Sequence, residues 1–497
     1  MKTIAFLILS LFFAGSLGAQ TKVFKEVGEE ISTQIKAITQ DNALVGYLAF
    51  TRLEKADADS FNYRITIMDE NLNDIGTLNF REANLDLQGV SFESDVLCLG
   101  YISSPLAGVL TGKEARKAYR KGGSSQVLVQ FVNLSGKILQ RYSTQVELTS
   151  EALITRGSFT THEVTFLKHG MQIKNIAKTG FCLFYGDENR KDVLVFDTKG
   201  TLIRDRKITA DGFQFYLHAS SPNYYLLTKA RGFAPEGGYT LYTYSTADSL
   251  AEYKYEVKDK QGNWLKILSL DNDPVTGKAY LVGCIINPDR TKDYITARDY
   301  SRNPYLGVYT INLGNTRKDM QINYSYWNDG KIPGISDDGL FTDKSFYVKY
   351  ATAFKDYNGN TVFAGTALEE KKLLGIAKYK LADAVFVVQD GKGKVKLDNN
   401  ITCDETSYFG PAGPVNDMDK KSFYRVVNSE AKTNYVIIDD EKNIYIYNVN
   451  GQKLVRTIQH KEGGIKTQVY PAKEGHVMVA EYNRKEKYTR FSIEGLQ

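Results

Sequence analysis

Lysine, arginine and tyrosine are concentrated in four polar segments of this 497-residue chain. The segments begin at Ser103, Lys229, Asn287 and Ala367, and together they carry a net formal charge of +8, although the whole chain carries only +5. Cationic groups interleaved with tyrosine rings suit an anionic or sugar-like ligand, or an acidic protein partner. The alternative is that these are ordinary solvated loops.

The candidate ligand-binding residues come from three of these segments. They are Lys113, Arg116, Lys117, Tyr119, Arg120, Arg231, Tyr294, Arg298, Tyr300 and Arg302. Tyr239 and Tyr379 lie at or within the same segments and could add two more rings to the surface. If the segments share one face of the fold, that face presents a basic rim bearing tyrosines.

Residue patterns typical of catalysis are missing from the sequence. The five histidines have neither HxH nor HExxH spacing, and the chain has no G-x-S-x-G, Walker or G-x-G-x-x-G motif. Asp271-Asn272-Asp273 resembles the start of a calcium loop but lacks the glycine and glutamate at the required positions. Asp337-Asp338-Gly339 is typical of a turn. We therefore expect no catalytic residue, no metal site and no cofactor, and the weak positive charge does not predict nucleic-acid binding.

Four cysteines are present, and three of them occupy similar apolar stretches. Cys98, Cys182 and Cys284 lie in LCLGY, FCLFY and VGCII, which predict equivalent strands of different repeats. Such positions are too far apart for a disulfide, whose Cα atoms must lie within about 7 Å. We expect these thiols to be small buried side chains, with Cys403 left over in a loop.

Seven copies of a β-hairpin provide the elements that position the basic segments. The copies start at Tyr63, Val127, Val193, Tyr239, Tyr305, Ala384 and Ile444, at intervals of roughly 50 to 80 residues. Each has alternating apolar residues, a turn such as NLSG, DTKG or NVNG, and a second alternating run. A further apolar strand precedes most copies.

These repeats predict an all-β fold, a single β-propeller of about seven antiparallel blades, because units that cannot bury both faces alone can pack around an axis. Two stacked sandwich domains are the alternative. The tail from His476 supplies two more strands, which we expect to pair with N-terminal strands and close the ring. The four basic segments then connect the second and third strands of their blades, on one face of the ring.

The N-terminus has the pattern of a secretory signal peptide over residues 1–19. Met1-Lys2 is followed by IAFLILSLFFAG and by Leu17-Gly18-Ala19, a small-residue cleavage site. Residues 20–42 are expected to form a leader or closing strand, and residues 43–497 the propeller. No later stretch approaches the 18 apolar residues that a membrane span requires.

The strands VLVFDTKG and IYIYNVNGQKL, the segment YATAFKDYNGNTVFAGTAL and the signal ending LGAQ resemble uncharacterised exported β-propeller-like proteins of Bacteroidota type, a family of unknown function. The resemblance covers the mature chain, but its motifs specify hairpins, so it implies no functional residue. It implies an exported protein, periplasmic or extracellular. Members of this group that are secreted across the outer membrane often have an additional C-terminal sorting domain. The C-terminal residues of this sequence instead resemble a propeller strand, so we expect a periplasmic location.

Three functions fit these observations. The first is a non-enzymatic binding or scaffold protein that presents the basic, tyrosine-bearing face to a ligand or an envelope partner. The second is a polysaccharide-active enzyme with carboxylates in the propeller funnel, which requires two converging carboxyl groups or a metal cluster. The third is a structural envelope component, for which a large exposed apolar patch would be the sign. The sequence favours the first.

Overall fold

The hairpin at residues 191–207 shows how the local sequence builds the repeating unit. Lys191–Asp197 pairs antiparallel with Leu202–Lys207. The Asp197 carboxylate accepts the backbone N–H groups of Lys199 and Thr201, both at 2.8 Å, and Gly200 has a φ of 85°. An Asp turn of this kind, with glycine at the left-handed position, reverses the chain within four residues. The DTKG sequence is therefore explained by the turn that it forms.

The computed structural model describes residues 21–496 except 26–31, 41–42, 59, 104–124, 147–169, 187–190, 210–211, 213, 231–237, 247–251, 287–304, 330–331, 374–375, 410–418, 420, 462–463 and 474. Within this part of the chain the strands form eight antiparallel sheets, each of which is one blade. Residues 1–20 lie outside the described residues, so the signal peptide remains a prediction.

The first four complete blades each contain four consecutive strands. After β1 (Thr21–Lys25), blade 1 contains β2 (Ser32–Gln40), β3 (Ala43–Lys55), β4 (Ser60–Met68) and β5 (Asp74–Ala83). Blade 2 contains β6 (Leu85–Glu93), β7 (Val96–Ser103), β8 (Ser125–Asn133) and β9 (Ile138–Val146). Blade 3 contains β10 (Gly170–Ile176), β11 (Gly180–Gly186), β12 (Lys191–Asp197) and β13 (Leu202–Lys207). Blade 4 contains β14 (Gln214–Ser220), β15 (Asn223–Lys229), β16 (Tyr239–Ser245) and β17 (Glu252–Glu256).

The remaining blades depart slightly from this plan. Blade 5 contains β18 (Leu265–Asn272), β19 (Ala279–Ile286), β20 (Tyr305–Asn312) and, after a 3₁₀ helix (Arg317–Asp319), β21 (Gln321–Tyr326). Blade 6 contains β22 (Tyr347–Lys355), β23 (Thr361–Leu373), β24 (Ile376–Gln389) and β25 (Val395–Ile401), and β26 (Thr406–Phe409) also pairs with β24. Blade 7 contains β27 (Ser422–Asn428), β28 (Thr433–Asp439), β29 (Asn443–Asn448) and β30 (Lys453–Gln459). Blade 8 contains β31 (Ile465–Pro471), β32 (His476–Asn483) and β33 (Tyr488–Gly495), with β1 as its outer strand.

Ring closure joins the two ends of the chain. Thr21 pairs with Ser492, and Lys25 pairs with Tyr488. The predicted pairing of C-terminal with N-terminal strands is therefore confirmed. The predicted number of blades, about seven, is wrong because β31, β32 and β33 form an eighth blade whose fourth strand, β1, comes from the other end of the chain. The tail from His476 supplies two strands, β32 and β33, as predicted, and the strand that the sequence analysis missed is β31, which precedes it.

Each interface between neighbouring blades in the described structure contains an apolar cluster, which explains why the alternating strands need a ring. Leu48 and Tyr63 of blade 1 pack with Leu97 of blade 2, for example, and Met478 of blade 8 packs with Tyr47 of blade 1. From blade 1 to blade 7, the first strands of successive blades contact one another around the central axis. The fold thus buries both faces of every sheet and leaves the first strands to line a central channel.

Cysteine placement follows the same packing. Cys98, Cys182, Cys284 and Cys403 are all buried and none of them forms a disulfide, as predicted for the first three from their strand context. Burial raises the pKa of the Cys98 thiol well above its ordinary value. Cys403 lies in the connection between β25 and β26, in agreement with the predicted loop, and it is buried as well.

Antiparallel pairing fixes which connections share a face of the ring. Connections between first and second strands, and between third and fourth strands, emerge on one face, which we call the funnel face. Connections between second and third strands emerge on the other, which we call the loop face. Among the described residues, no helix is long and apolar enough to cross a membrane.

Candidate functional site

The ten predicted ligand-binding residues lie outside the described residues. These are Lys113, Arg116, Lys117, Tyr119, Arg120, Arg231, Tyr294, Arg298, Tyr300 and Arg302. The strands that flank the four basic segments are β7 and β8, β15 and β16, β19 and β20, and β23 and β24. Three of the segments thus connect second to third strands and start and end on the loop face, as predicted. The fourth, from Ala367 to Leu381, lies mostly within the paired strands β23 and β24, so it is not the long loop that the sequence predicted. Tyr239 and Tyr379, however, lie in strands and are buried, so they do not belong to an exposed rim.

A cavity that was not predicted lies at the opposite end of the channel. It has a volume of about 900 Å³ and opens on the funnel face, between the ends of the first strands. Blades 1 to 7 all contribute residues to its lining. Its volume falls within the range of roughly 300 to 1,000 Å³ that is typical of small-molecule sites.

Two lysines stand at the mouth of this cavity in equivalent turns. Lys178 follows the first strand of blade 3, Lys432 follows the first strand of blade 7, and both line the cavity. Their φ angles are 61° and 50°, in the left-handed region that glycine and asparagine adopt most easily. Each is the middle residue of an Ala-Lys-Thr tripeptide, at 177–179 and 431–433. The fold holds a lysine in a costly conformation at both places.

Buried polar side chains hold these two turns in shape. The Glu93 carboxylate, in a residue only 3% exposed, accepts the backbone N–H of Lys178 at 3.1 Å and the Nδ2 group of Asn175 at 3.2 Å. In blade 7, the buried Asn428 accepts the backbone N–H of Ala431 at 2.6 Å. A residue keeps a costly backbone conformation only where the surrounding structure fixes it. Here the hydrogen bonds to Glu93 and Asn428 fix the two turns that contain Lys178 and Lys432.

Lys174 adds a third cation to the wall below Lys178. It lies in β10, half-buried, with its ammonium 5.5 Å from the centre of the Tyr216 ring. The ammonium groups of Lys174, Lys178 and Lys432 form no ion pair with any carboxylate of the described residues. In the described part of the chain, all three ammonium groups therefore lack a carboxylate partner.

The remaining charges of the cavity neutralise one another in a bridge across blades 5, 6 and 7. Arg425 Nη2 donates to Asp271 Oδ2 at 2.6 Å, and its residue is 2% exposed. Lys355 Nζ donates to Asp273 Oδ2 at 2.8 Å and to Asn312 Oδ1 at 2.6 Å. Since each acid has a basic partner, this wall contributes no net charge.

Asp273 is consequently fixed in its ionised form. Burial by itself would raise the pKa of Asp273, but hydrogen bonds from Lys355 and from the backbone N–H groups of Val275 and Thr276 outweigh it. Its pKa therefore lies below the ordinary value for aspartate. A carboxyl group in this state cannot serve as a general acid near neutral pH.

His218 in the cavity wall is a neutral structural group. Burial lowers the pKa of His218 to about 4, although Asp271 acts in the opposite direction. Its Nε2 lies 2.9 Å from Asn272 Oδ1, and Asn272 Nδ2 donates to the Ala219 carbonyl. Because Asn272 Oδ1 can only accept, Nε2 carries the imidazole proton.

The chemistry available in the described site is that of binding. Its two carboxylates are ion-paired and its histidine is neutral. No group of three or more His, Cys, Asp or Glu side chains in the described part of the chain is placed to hold a metal ion. What the cavity offers is three unpaired ammonium groups on a polar wall. Such a site attracts anions.

No protein-family model and no curated protein matches the chain. Similar solved structures include dihydro-heme d1 dehydrogenase NirN in complex with DHE, which is 13% identical over 90% of this chain and 73% of that chain, with a TM-score of 0.41. The C-terminal WD40 domain of Sif2 is 10% identical over 95% and 99%, with a TM-score of 0.43. The WD40 domain of SCAP from fission yeast is 9% identical over 93% and 98%, with a TM-score of 0.37. These neighbours are propellers too, and the eight-sheet ring itself establishes the fold.

Proposed function

We propose that this protein is an exported, non-enzymatic binding protein that holds an anionic ligand in the funnel-face cavity. The observation that carries the proposal is the set of three unpaired ammonium groups, from Lys174, Lys178 and Lys432, on a cavity of about 900 Å³. Fixed charges in a concave site raise the local concentration of counter-ions and strengthen their binding. The N-terminal signal pattern supports export.

The two alternative functions receive less support from the described residues. The enzyme hypothesis requires two converging carboxyl groups in the cavity. The carboxylates of Asp271 and Asp273, however, are already ion-paired with Arg425 and Lys355. The structural hypothesis requires a large apolar patch. The large exposed apolar side chains of the described residues are Val23, Ile75, Leu139, Leu202, Ile203, Val275 and Leu454. They are distributed over six blades, and scattered residues of this kind are normal on a soluble surface.

The experiment compares charge reversal on the two faces. The funnel variant carries Lys174→Glu, Lys178→Glu and Lys432→Glu, and the loop-face variant carries Lys113→Glu, Arg116→Glu, Lys117→Glu and Arg120→Glu. Residues 20–497 of each, with the unmodified protein, are applied to an array of acidic and neutral glycans. We expect the funnel variant alone to lose retention on acidic glycans. Loss in the loop-face variant alone would place the site on the loop face, and no retention of the unmodified protein would overturn the proposal.

A further inference from the structure

We infer that the ligand is a short acidic oligosaccharide that contacts blades 3 and 7 at the same time, with one carboxylate at each end. This inference rests on the proposed function, and it specifies the chemical class of the ligand and its orientation in the cavity. Four observations support it: the placement of the cations, the composition of the wall between them, the volume of the cavity and the type of cation.

The unpaired cations stand on opposite sides of the cavity. In a ring of eight blades, blade 3 and blade 7 are separated by four positions in either direction. Lys178 extends from the turn of blade 3 and Lys432 from the equivalent turn of blade 7. A single small anion near the wall can contact only one of them. A ligand that satisfies both must have two anionic groups with a spacer between them.

The wall between the two lysines suits a sugar spacer. Hydroxyl and amide side chains line it, including those of Ser91, Ser221 and Asn175, and they match the hydrogen-bonding groups of sugar hydroxyls. Two half-buried tyrosines, Tyr216 and Tyr357, add flat apolar surface with a polar tip. The Asp271–Arg425 and Asp273–Lys355 pairs neutralise each other, so this wall neither attracts nor repels a further carboxylate between the two ends of the ligand.

The type of cation favours carboxylates over phosphates. Phosphate recognition commonly uses the fork of arginine N–H donors or a nest of backbone N–H groups. The arginine that lines the cavity, Arg425, already donates to Asp271. The unpaired groups are lysines, which act as separate point charges, and their wide spacing matches the low charge density of an acidic sugar chain.

The test is calorimetric titration of the purified protein at low salt. The probes are galacturonate, its α-1,4-linked di- and trimer, the carboxyl-reduced neutral trimer, and tripolyphosphate. The variants are Lys178→Gln and Lys432→Gln, each of which removes one charge at the mouth of the cavity. Lys487→Gln is the matched control, because Lys487 is an exposed lysine with a φ of 51° in a loop-face turn.

We expect the trimer to bind about 10- to 100-fold more tightly than the monomer, because its second contact is intramolecular. Either glutamine variant should reduce the trimer to roughly the affinity of the monomer, and Lys487→Gln should leave it unchanged. Equal affinities for monomer and trimer would overturn the bridging inference and leave the proposed function standing. Tripolyphosphate binding as tightly as the trimer would overturn the sugar assignment. If none of the anionic probes binds, both the inference and the proposed function fail.

Discussion

Replacing Lys178 and Lys432 by glycine should make the protein more stable and at the same time impair its binding site. Both residues hold left-handed backbone conformations, with φ of 61° and 50°. Side chains with a Cβ atom adopt this region at a cost, whereas glycine adopts it freely. If the lysines were there only to form turns, glycine would serve better. Their presence in the strained positions is explained by the charge that they place at the cavity mouth.

The two effects have opposite signs and comparable magnitudes. Relief of the left-handed strain contributes about 1–2 kcal/mol per residue, and the greater freedom of glycine in the unfolded chain removes about 0.5–1 kcal/mol. The double variant should therefore gain about 1–2 kcal/mol in the free energy of unfolding. An ammonium 4 Å from a carboxylate contributes about 1 kcal/mol in water and up to about 4 kcal/mol near a protein surface. Losing both charges should weaken binding of an acidic trisaccharide about 30-fold or more.

Urea denaturation and calorimetric titration on the same preparations measure both effects. Lys487→Gly is the control, because Lys487 has the same residue type and a φ of 51° but lies on the loop face. It should gain stability without losing affinity. Unchanged affinity in the double variant would refute the role of the two lysines. A fall in stability of more than about 1 kcal/mol in both the double variant and Lys487→Gly would refute the strain argument.

Three further predictions concern the buried groups. Burial lowers the pKa of His218 from 6.5 to about 4. Between these two pH values the imidazole binds a proton in the unfolded state but not in the folded state, so the free energy of unfolding decreases as the pH drops. The free energy of unfolding should decrease by about 2 kcal/mol between pH 7 and pH 5, measured with urea, and His218→Gln should remove this contribution. Asp271→Asn should cost about 3–5 kcal/mol in the same assay, since it leaves the buried guanidinium of Arg425 without a counter-charge, and a cost below 1 kcal/mol would contradict the bridge. All four cysteines are buried, and burial raises the pKa of Cys98 and Cys182, so iodoacetamide should label none of the four in the native protein. In denaturant without reductant it should label all four. Incomplete labelling in denaturant would reveal a disulfide.

Much of the fold could be predicted because its signals are local. The turn sequence at Asp197-Thr198-Lys199-Gly200 contains every group that the hairpin needs, and all seven predicted hairpins occur as third and fourth strands. Blade 8 was missed because its outer strand, Thr21–Lys25, is encoded at the opposite end of the chain from its partner β33. A repeat search along the sequence cannot align a unit that is split in this way.

The candidate site could not be predicted because it is assembled from contacts that are remote in sequence. Asp271 and Arg425 meet across three blades, and no local pattern pairs them. One local signal of the site is nevertheless present in the sequence. The tripeptide Ala-Lys-Thr occurs before the second strand of both blade 3 and blade 7, where a hairpin turn would ordinarily favour glycine or asparagine. A lysine at such a position, repeated in two copies, points to a function outside the turn itself.

The most direct test of the account is a crystal structure of residues 20–497 with the acidic trisaccharide bound. We predict that electron density for the sugar will lie in the funnel-face cavity, with its two terminal carboxylates within hydrogen-bonding distance of the Lys178 and Lys432 ammonium groups. Density on the loop face, or a sugar bound in the cavity without contact to either lysine, would contradict it.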